Sequence, residues 1–132
     1  MTLAVDTSVL LAIFNAEADC DAWIEVLANA HRAGELVVCE TVYAEASSRF
    51  ARHADFEDAL DRLGIVLRRS NQLTLYRAGQ VFAEYRKRGG PRATLIPDFL
   101  VGAHAEMQAD QLATRDRGFL RTFFTNLTRV EP

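Results

Sequence analysis

Four carboxylates stand where hydrophobic packing alone does not ask for them: Asp6, Glu45, Asp98 and Asp116. Asp6 closes the short apolar run Leu3-Ala4-Val5, and Thr7, Ser8 and the longer run Val9-Leu10-Leu11-Ala12-Ile13-Phe14 follow it. That pattern reads as a buried strand turning into a helix. Asp116 repeats the strand-then-acid arrangement behind Gln111-Leu112-Ala113-Thr114. Glu45 falls about one turn into a helix that follows a strand, and Asp98 in the first turn of a helix opened by Pro97. Each acid alone has a local explanation, since Asp caps helices and an acid in the first turn suits the helix N-terminus. Together they share one location, because the carboxyl ends of the strands in an open parallel sheet border the crevice where ligands bind. Carboxylates gathered there raise one another's pKa unless a cation holds them ionised. Oxygen donors without a matching His or Cys set select Mg²⁺ or Mn²⁺ rather than Zn²⁺. Such ions activate water and stabilise the charge that builds on a phosphodiester during in-line attack.

The elements that must position these acids alternate along the chain. After the first helix, Trp23, Val26, Leu27 and Ala30 recur at helical spacing up to Gly34, and Leu36-Val37-Val38-Cys39 is apolar throughout, as an interior parallel strand is. Thr41 is then a candidate cap for a helix carrying Tyr43, Ala44, Glu45, Ala46 and Phe50 and ending near His53. Residues Asp55 to Leu63, with Phe56, Leu60 and Leu63 on one face, read as a short helix before the strand Ile65-Val66-Leu67. The longest helical pattern runs from Asn71 to about Lys87, with Leu75, Ala78, Phe82 and Tyr85 as its stripe and Tyr76 and Ala83 widening it; Gly89-Gly90-Pro91 stops it. The helix of Asp98 is small-sided and nearly all apolar, hence buried, and its His104 has no partner at ligand spacing and reads as a core histidine. Leu127 to Val130 is a candidate edge strand. Strands alternating with helices predict one α/β domain over residues 1–132, a three-layer α/β/α sandwich around a mostly parallel sheet.

Length and composition agree with one globular domain: 132 residues, 49% hydrophobic and 25% charged, with no apolar run long enough to span a bilayer. The start lacks the basic region of a secretory signal, so a cytoplasmic protein is expected, with Cys20 and Cys39 reduced and mostly buried. The net charge of −3 argues against a nucleic-acid partner only as an average. Setting the four acids aside leaves 14 acidic residues against 15 basic ones, all but Lys87 of them arginine, the side chain whose planar fork matches phosphate oxygens. Arg86, Lys87, Arg88 and Arg92 form a basic tract around the Gly-Gly turn, a candidate RNA contact that also has the plain reading of a solvated helix end.

Val5-Asp6-Thr7-Ser8, Tyr43-Ala44-Glu45, Pro97-Asp98 and Thr114-Arg115-Asp116-Arg117-Gly118-Phe119 occur in that order across nearly the whole chain. In this the sequence resembles the PIN domain, and within it the VapC-type toxin ribonucleases of bacterial toxin–antitoxin pairs. The resemblance implies a PIN-like fold and a metal-dependent endoribonuclease using Mg²⁺ or Mn²⁺. Asp6, Glu45, Asp98 and Asp116 would be its catalytic metal site, Thr7 or Ser8 a polar helper, and Arg115 and Arg117 would join the basic tract as RNA contacts. It also implies a cognate antitoxin and a toxin homodimer. Trp23, Phe50, Phe56, Phe123 and Phe124 are candidate aromatic surface for such a partner, although core packing can equally use them. Competing readings are a PIN-type nuclease outside toxin pairs and a PIN-like binding module whose acids are only caps. A dehalogenase-like phosphotransfer site would want a second Asp where Ser8 stands, and a dinucleotide site would want a glycine-rich first turn.

Overall fold

The structure is a computed structural model that describes residues 1–91, 96–116, 118 and 122–132, and no side chain at position 96. Arg92 and Arg117 from the predicted RNA contacts, and Phe119, lie outside the described residues. The elements run β1 (Thr2–Val5), α1 (Thr7–Phe14), α2 (Cys20–Ala33), β2 (Glu35–Val38), α3 (Glu40–Ser47), α4 (His53–Leu63), β3 (Ile65–Leu67), α5 (Gln72–Lys87), α6 (Ile96–Gln108), β4 (Gln111–Ala113) and β5 (Arg129–Val130). The five strands form one sheet in the order β3-β2-β1-β4-β5, and every pairing is parallel. From β1 the chain steps outward through β2 to β3, then returns past β1 to β4 and β5. With right-handed crossovers this puts α1 to α4 on one face and α5 and α6 on the other. The helix packing follows suit: α1 lies on α2 and α3, α2 on α4, and α5 on α6.

The strands are short and apolar because both faces are covered. Leu3, Ala4, Val5, Leu36, Val37, Val38, Leu112 and Ala113 are all buried. Register then decides where the acids go. Val5 pairs with Ala113, so β1 and β4 end side by side, and Asp6 N donates to Ala113 O at 2.9 Å. Strand order reverses between these two strands, and there the covering helices part and leave a crevice.

Several boundaries differ from the sequence expectation. Helix α3 begins at Glu40 with Cys39 as its N-cap and Thr41 inside it, and it ends at Ser47 rather than near His53, which opens α4. Phe50 therefore lies in the connection. The predicted stripe of α5 holds in part: Leu75 and Tyr76 are exposed, while Thr74, Ala78, Val81 and Tyr85 are buried. Thr74 can be buried because its hydroxyl donates to Gln108 Oε1 at 2.8 Å and its amide to Asn71 Oδ1 at 2.8 Å. The final strand spans only Arg129–Val130. The aromatic surplus goes largely into the core: Trp23, Phe56 and Phe124 are buried, and Phe50 and Phe123 pack against them partly buried. His104 is buried as expected, and its Nε2–H donates to Arg68 O at 2.7 Å.

Two helix glycines sit in opposite surroundings. A Cβ on Gly79 in α5 would meet nothing within 4 Å, whereas on Gly102 in α6 it would stand 2.4 Å from the ring of fully buried Phe124. Gly79→Ala should therefore stabilise the protein by up to about 1 kcal/mol through helix propensity. Gly102→Ala gains the same propensity but overpacks the core, at about 1–3 kcal/mol, and should lower Tm. Thermal unfolding of both variants checks the pair; a rise in Tm in both would mean that Phe124 yields freely.

Candidate active site

Four elements bring their polar side chains to the crevice beside β1 and β4. Asp6 is the N-cap of α1: its Oδ1 accepts from Thr7 N at 2.8 Å, and its Oδ2 accepts from Ser8 Oγ at 2.8 Å and from Thr114 Oγ1 at 2.7 Å. Capping and facing the cavity are thus one arrangement, because the cap bonds aim the carboxylate. Thr7 Oγ1 reaches across to α3 and donates to Glu45 Oε1 at 2.8 Å. Ser8 Oγ also accepts from Arg115 N at 3.1 Å, and Thr114 Oγ1 accepts from Asp116 N at 3.0 Å. Asp116 Oδ1 lies 3.4 Å from Gly118 N. A cavity of about 520 Å³ opens here, lined by Asp6, Ser8, Asp98, Arg115 and Asp116.

Asp98 enters from the first turn of α6. Partial burial raises its pKa above the ordinary carboxylate value, and the charges of Asp6, Asp116 and Glu45 push it further up. Asp98 thus feels all three other predicted acids at once, although they belong to segments far apart in sequence. Among the described residues no group of three or more His, Cys, Asp or Glu side chains is gathered as a metal-ligand set. The donor chemistry, four carboxylates flanked by hydroxyls, suits a hard divalent cation.

The predicted polar helpers Thr7 and Ser8 are both in the network. Thr114, which the sequence reading quoted within a motif but gave no role, joins the network as well. It is fully buried, and its hydroxyl joins Asp6 to the amide of Asp116. The signal for it was a hydroxyl residue closing a strand two positions before an acid. The basic residues are placed less directly. Arg86 Nη1 donates to Gly90 O at 2.7 Å and closes the end of α5, Arg88 pairs with Glu84 at 3.2 Å, and Lys87 is exposed. Arg115 lines the acidic cavity, but its guanidinium is engaged by Glu17 and Asp19.

The chain is a doubly wound, all-parallel α/β domain with carboxylates and hydroxyls converging at the switch point of its sheet. Residues 3–124 match the PIN domain, and the chain belongs to that family. Its fold is shared with two solved structures at 17% sequence identity each. One is VapBC2 from Rickettsia felis bound to a DNA fragment from their promoter, at a TM-score of 0.75 over 98% of this chain and 98% of that one. The other is VapBC-1 from nontypeable Haemophilus influenzae, at 0.72 over 99% of this chain and 98% of that one. No curated protein sequence matches the chain significantly. Among the described residues no helix is long and apolar enough to cross a membrane.

Proposed function

We propose that this PIN domain is a metal-dependent endoribonuclease acting in the cytoplasm as the toxin of a toxin–antitoxin pair. The observation that supports the nuclease reading is the single cavity lined by Asp6, Asp98 and Asp116, with Glu45 tied to the same network through Thr7 and the Asp98 carboxyl pushed up by burial and by the charges of the other three. A scaffold gains nothing from holding such an arrangement, whereas a site for Mg²⁺ or Mn²⁺ requires it. Asp6, Glu45, Asp98 and Asp116 would hold the ion. The chemistry it supplies when bound is an activated water and neutralisation of the charge on the phosphodiester.

The chain's own groups do the positioning. Ser8 and Thr114 hold Asp6 Oδ2 from two sides, Thr7 holds Glu45, and the Thr114 hydroxyl fixes the amide of Asp116. Hydrogen bonds of this kind set the direction of ligating carboxylates. Arg86, Lys87 and Arg88, at the end of the helix preceding the Asp98 segment, are the proposed contacts to the RNA backbone. Leu73 and Tyr76, 63% and 66% exposed one turn apart on α5, are apolar surface suited to the proposed homodimer.

The test is cleavage of labelled RNA and of DNA with the same sequence, in Mn²⁺, in Mg²⁺ and in chelator. Cleavage of RNA alone, abolished by chelator and restored by excess metal, is expected. Millimolar Mn²⁺ should also raise Tm, because an ion bound only by the folded state stabilises it. RNA cleavage that persists in chelator would overturn the metal assignment. No RNA cleavage, together with an unmoved Tm, would leave a binding module whose acids are caps.

A further inference from the structure

Arg115 stands between two cavities. Its backbone belongs to the acidic one, through Arg115 N donating to Ser8 Oγ. Its side chain extends to the turn between α1 and α2, where Nη1 donates to Glu17 Oε1 at 3.0 Å and Nε lies 3.5 Å from Asp19 Oδ2. Asp19 Oδ2 also accepts from Nε1 of buried Trp23 at 3.0 Å. A second cavity, of about 380 Å³, is lined here by Asp19, Trp23, Arg115, Glu131 and Pro132.

We propose that Arg115 is a positioning residue that braces the loop after β4 against the α1–α2 turn and so fixes Asp116 relative to Asp6. What Asp116 does once positioned rests on the nuclease reading above; the brace itself does not. Three observations support it independently. First, two of its three guanidinium nitrogens, Nη1 and Nε, are already engaged by carboxylates, with a third acid, Glu131, lining the adjoining cavity. Second, the turn that presents Glu17 is built at a cost: Ala16 has φ 50°, and among the described residues it is the only non-glycine with positive φ. Such a conformation persists only where surrounding contacts over-determine it. Glu17 N donating to Ala12 O at 2.9 Å and the Glu17 carboxylate on Arg115 are such contacts. Third, the braced residue is next to the acid that matters. Arg115 and Asp116 are adjacent, and their amides bond to the two hydroxyls, Ser8 and Thr114, that hold Asp6.

The side chains of Arg115, Glu17 and Asp19 are 37–41% exposed, so each pair shifts a local equilibrium by no more than roughly five-fold. The effect of losing the brace is accordingly moderate and graded. The experiment compares wild type with the double variant Glu17→Gln/Asp19→Asn and with Arg115→Met and Arg115→Lys. It reads amide hydrogen exchange at Arg115, Asp116 and Gly118, kcat and KM for RNA in Mn²⁺, and the salt dependence of RNA binding in chelator. The double variant and Arg115→Met should exchange faster at these amides, by up to roughly twenty-fold if the two pairs act independently. Their kcat should fall by a similar factor, while KM and the salt slope hold. Arg115→Lys, still able to pair with one acid, should recover part of both.

Unchanged exchange in the double variant, with tighter RNA binding and a steeper salt slope, would overturn the proposal and make Arg115 a phosphate contact that the acids restrain. If the wild type cleaves no RNA, the nuclease reading fails, and the exchange measurement still decides the brace: faster exchange supports it and unchanged exchange refutes it.

Discussion

Asp98→Asn should abolish RNA cleavage while making the metal-free protein more stable. Asparagine keeps the size of the side chain at the start of α6 but removes the charge a hard cation needs. Substituting a partner one step out from a metal typically costs 10–100-fold, so losing a ligating carboxylate should cost at least about 100-fold in kcat/KM. The stability change has the opposite sign because the folded state disfavours ionised Asp98. Its pKa is raised on folding, first by partial burial and then by Asp6, Asp116 and Glu45. A raised carboxyl pKa means the native state binds more protons than the unfolded chain between the ordinary carboxylate value and the raised folded value. Stability from this group is complete below the unfolded pKa and is lost as pH rises through the folded one. Wild-type protein in chelator should lose stability across that window, and Asp98→Asn should lose less. Adding Mn²⁺ should reverse the ranking, raising the wild-type Tm and leaving the variant nearly unmoved. Thermal unfolding between pH 3 and 7, with and without Mn²⁺, reads all of this. A variant that cleaves at the wild-type rate would reduce Asp98 to a partner of the helix dipole.

How far the sequence reveals this site depends on whether each residue's role is written locally. Asp6 and Asp116 are legible because a short apolar run ending in an acid is itself the signature of a strand's carboxyl end. Asp98 is legible because Pro97 marks the start of its helix. Thr114 is not. A β-branched hydroxyl residue closing a strand looks like one more strand residue, and its partners, Asp6 Oδ2 and the Asp116 amide, appear only once β1 and β4 are side by side. Arg115 is a related case: beside an acidic site it reads as a phosphate contact, and its ion pairs with Glu17 and Asp19, almost a hundred positions earlier, are not written in the local sequence.

The helix errors have the same origin. In α5 the expected stripe of Leu75, Ala78, Phe82 and Tyr85 holds at Ala78 and Tyr85 and in part at Phe82, but Gln108 and Asn71 satisfy Thr74 and let it be buried, while Leu75 is exposed. In α3 no glycine or proline marks the end at Ser47, so the pattern runs on into a connection that Phe50 pins to the core by packing edge-on against Phe14 at 5.0 Å. Local propensity cannot distinguish a helix that stops from one whose next turn is replaced by tertiary contacts.

Expression of the wild-type chain alone should arrest bacterial growth, and co-expression with a small neighbouring open reading frame should restore it. The reasoning starts from exposure. The acids line a cavity of about 520 Å³ that opens to solvent, and if the chain is a toxin, as proposed, an inhibitor must hold it in check. The surface offers a seat: a groove of about 230 Å³ on α3 and α4, lined by Tyr43, Ser47, Phe50, Arg52, His53 and Phe56. Its floor is a cluster of rings, with Tyr43 against Phe56 at 4.8 Å and Phe50 against Phe56 at 5.4 Å. An amphipathic helix or short apolar segment fits such a groove, which lies on the Tyr43–Ser47 face of α3, while Glu45 is on another face of the same helix. Three variants separate the parts. Asp6→Ala should be harmless on its own and still bind the inhibitor. Ser47→Arg, which crowds the groove from its rim without touching the core, should stay toxic and resist rescue, because the partner loses its seat while the acids remain. Combining the two should give a chain that is harmless and does not co-purify with the inhibitor. Harmless wild-type expression, with no complex formed by the neighbouring product, would remove the toxin assignment and leave a PIN-domain nuclease serving another cellular role; rescue of Ser47→Arg as complete as that of the wild type would move the inhibitor to a different face.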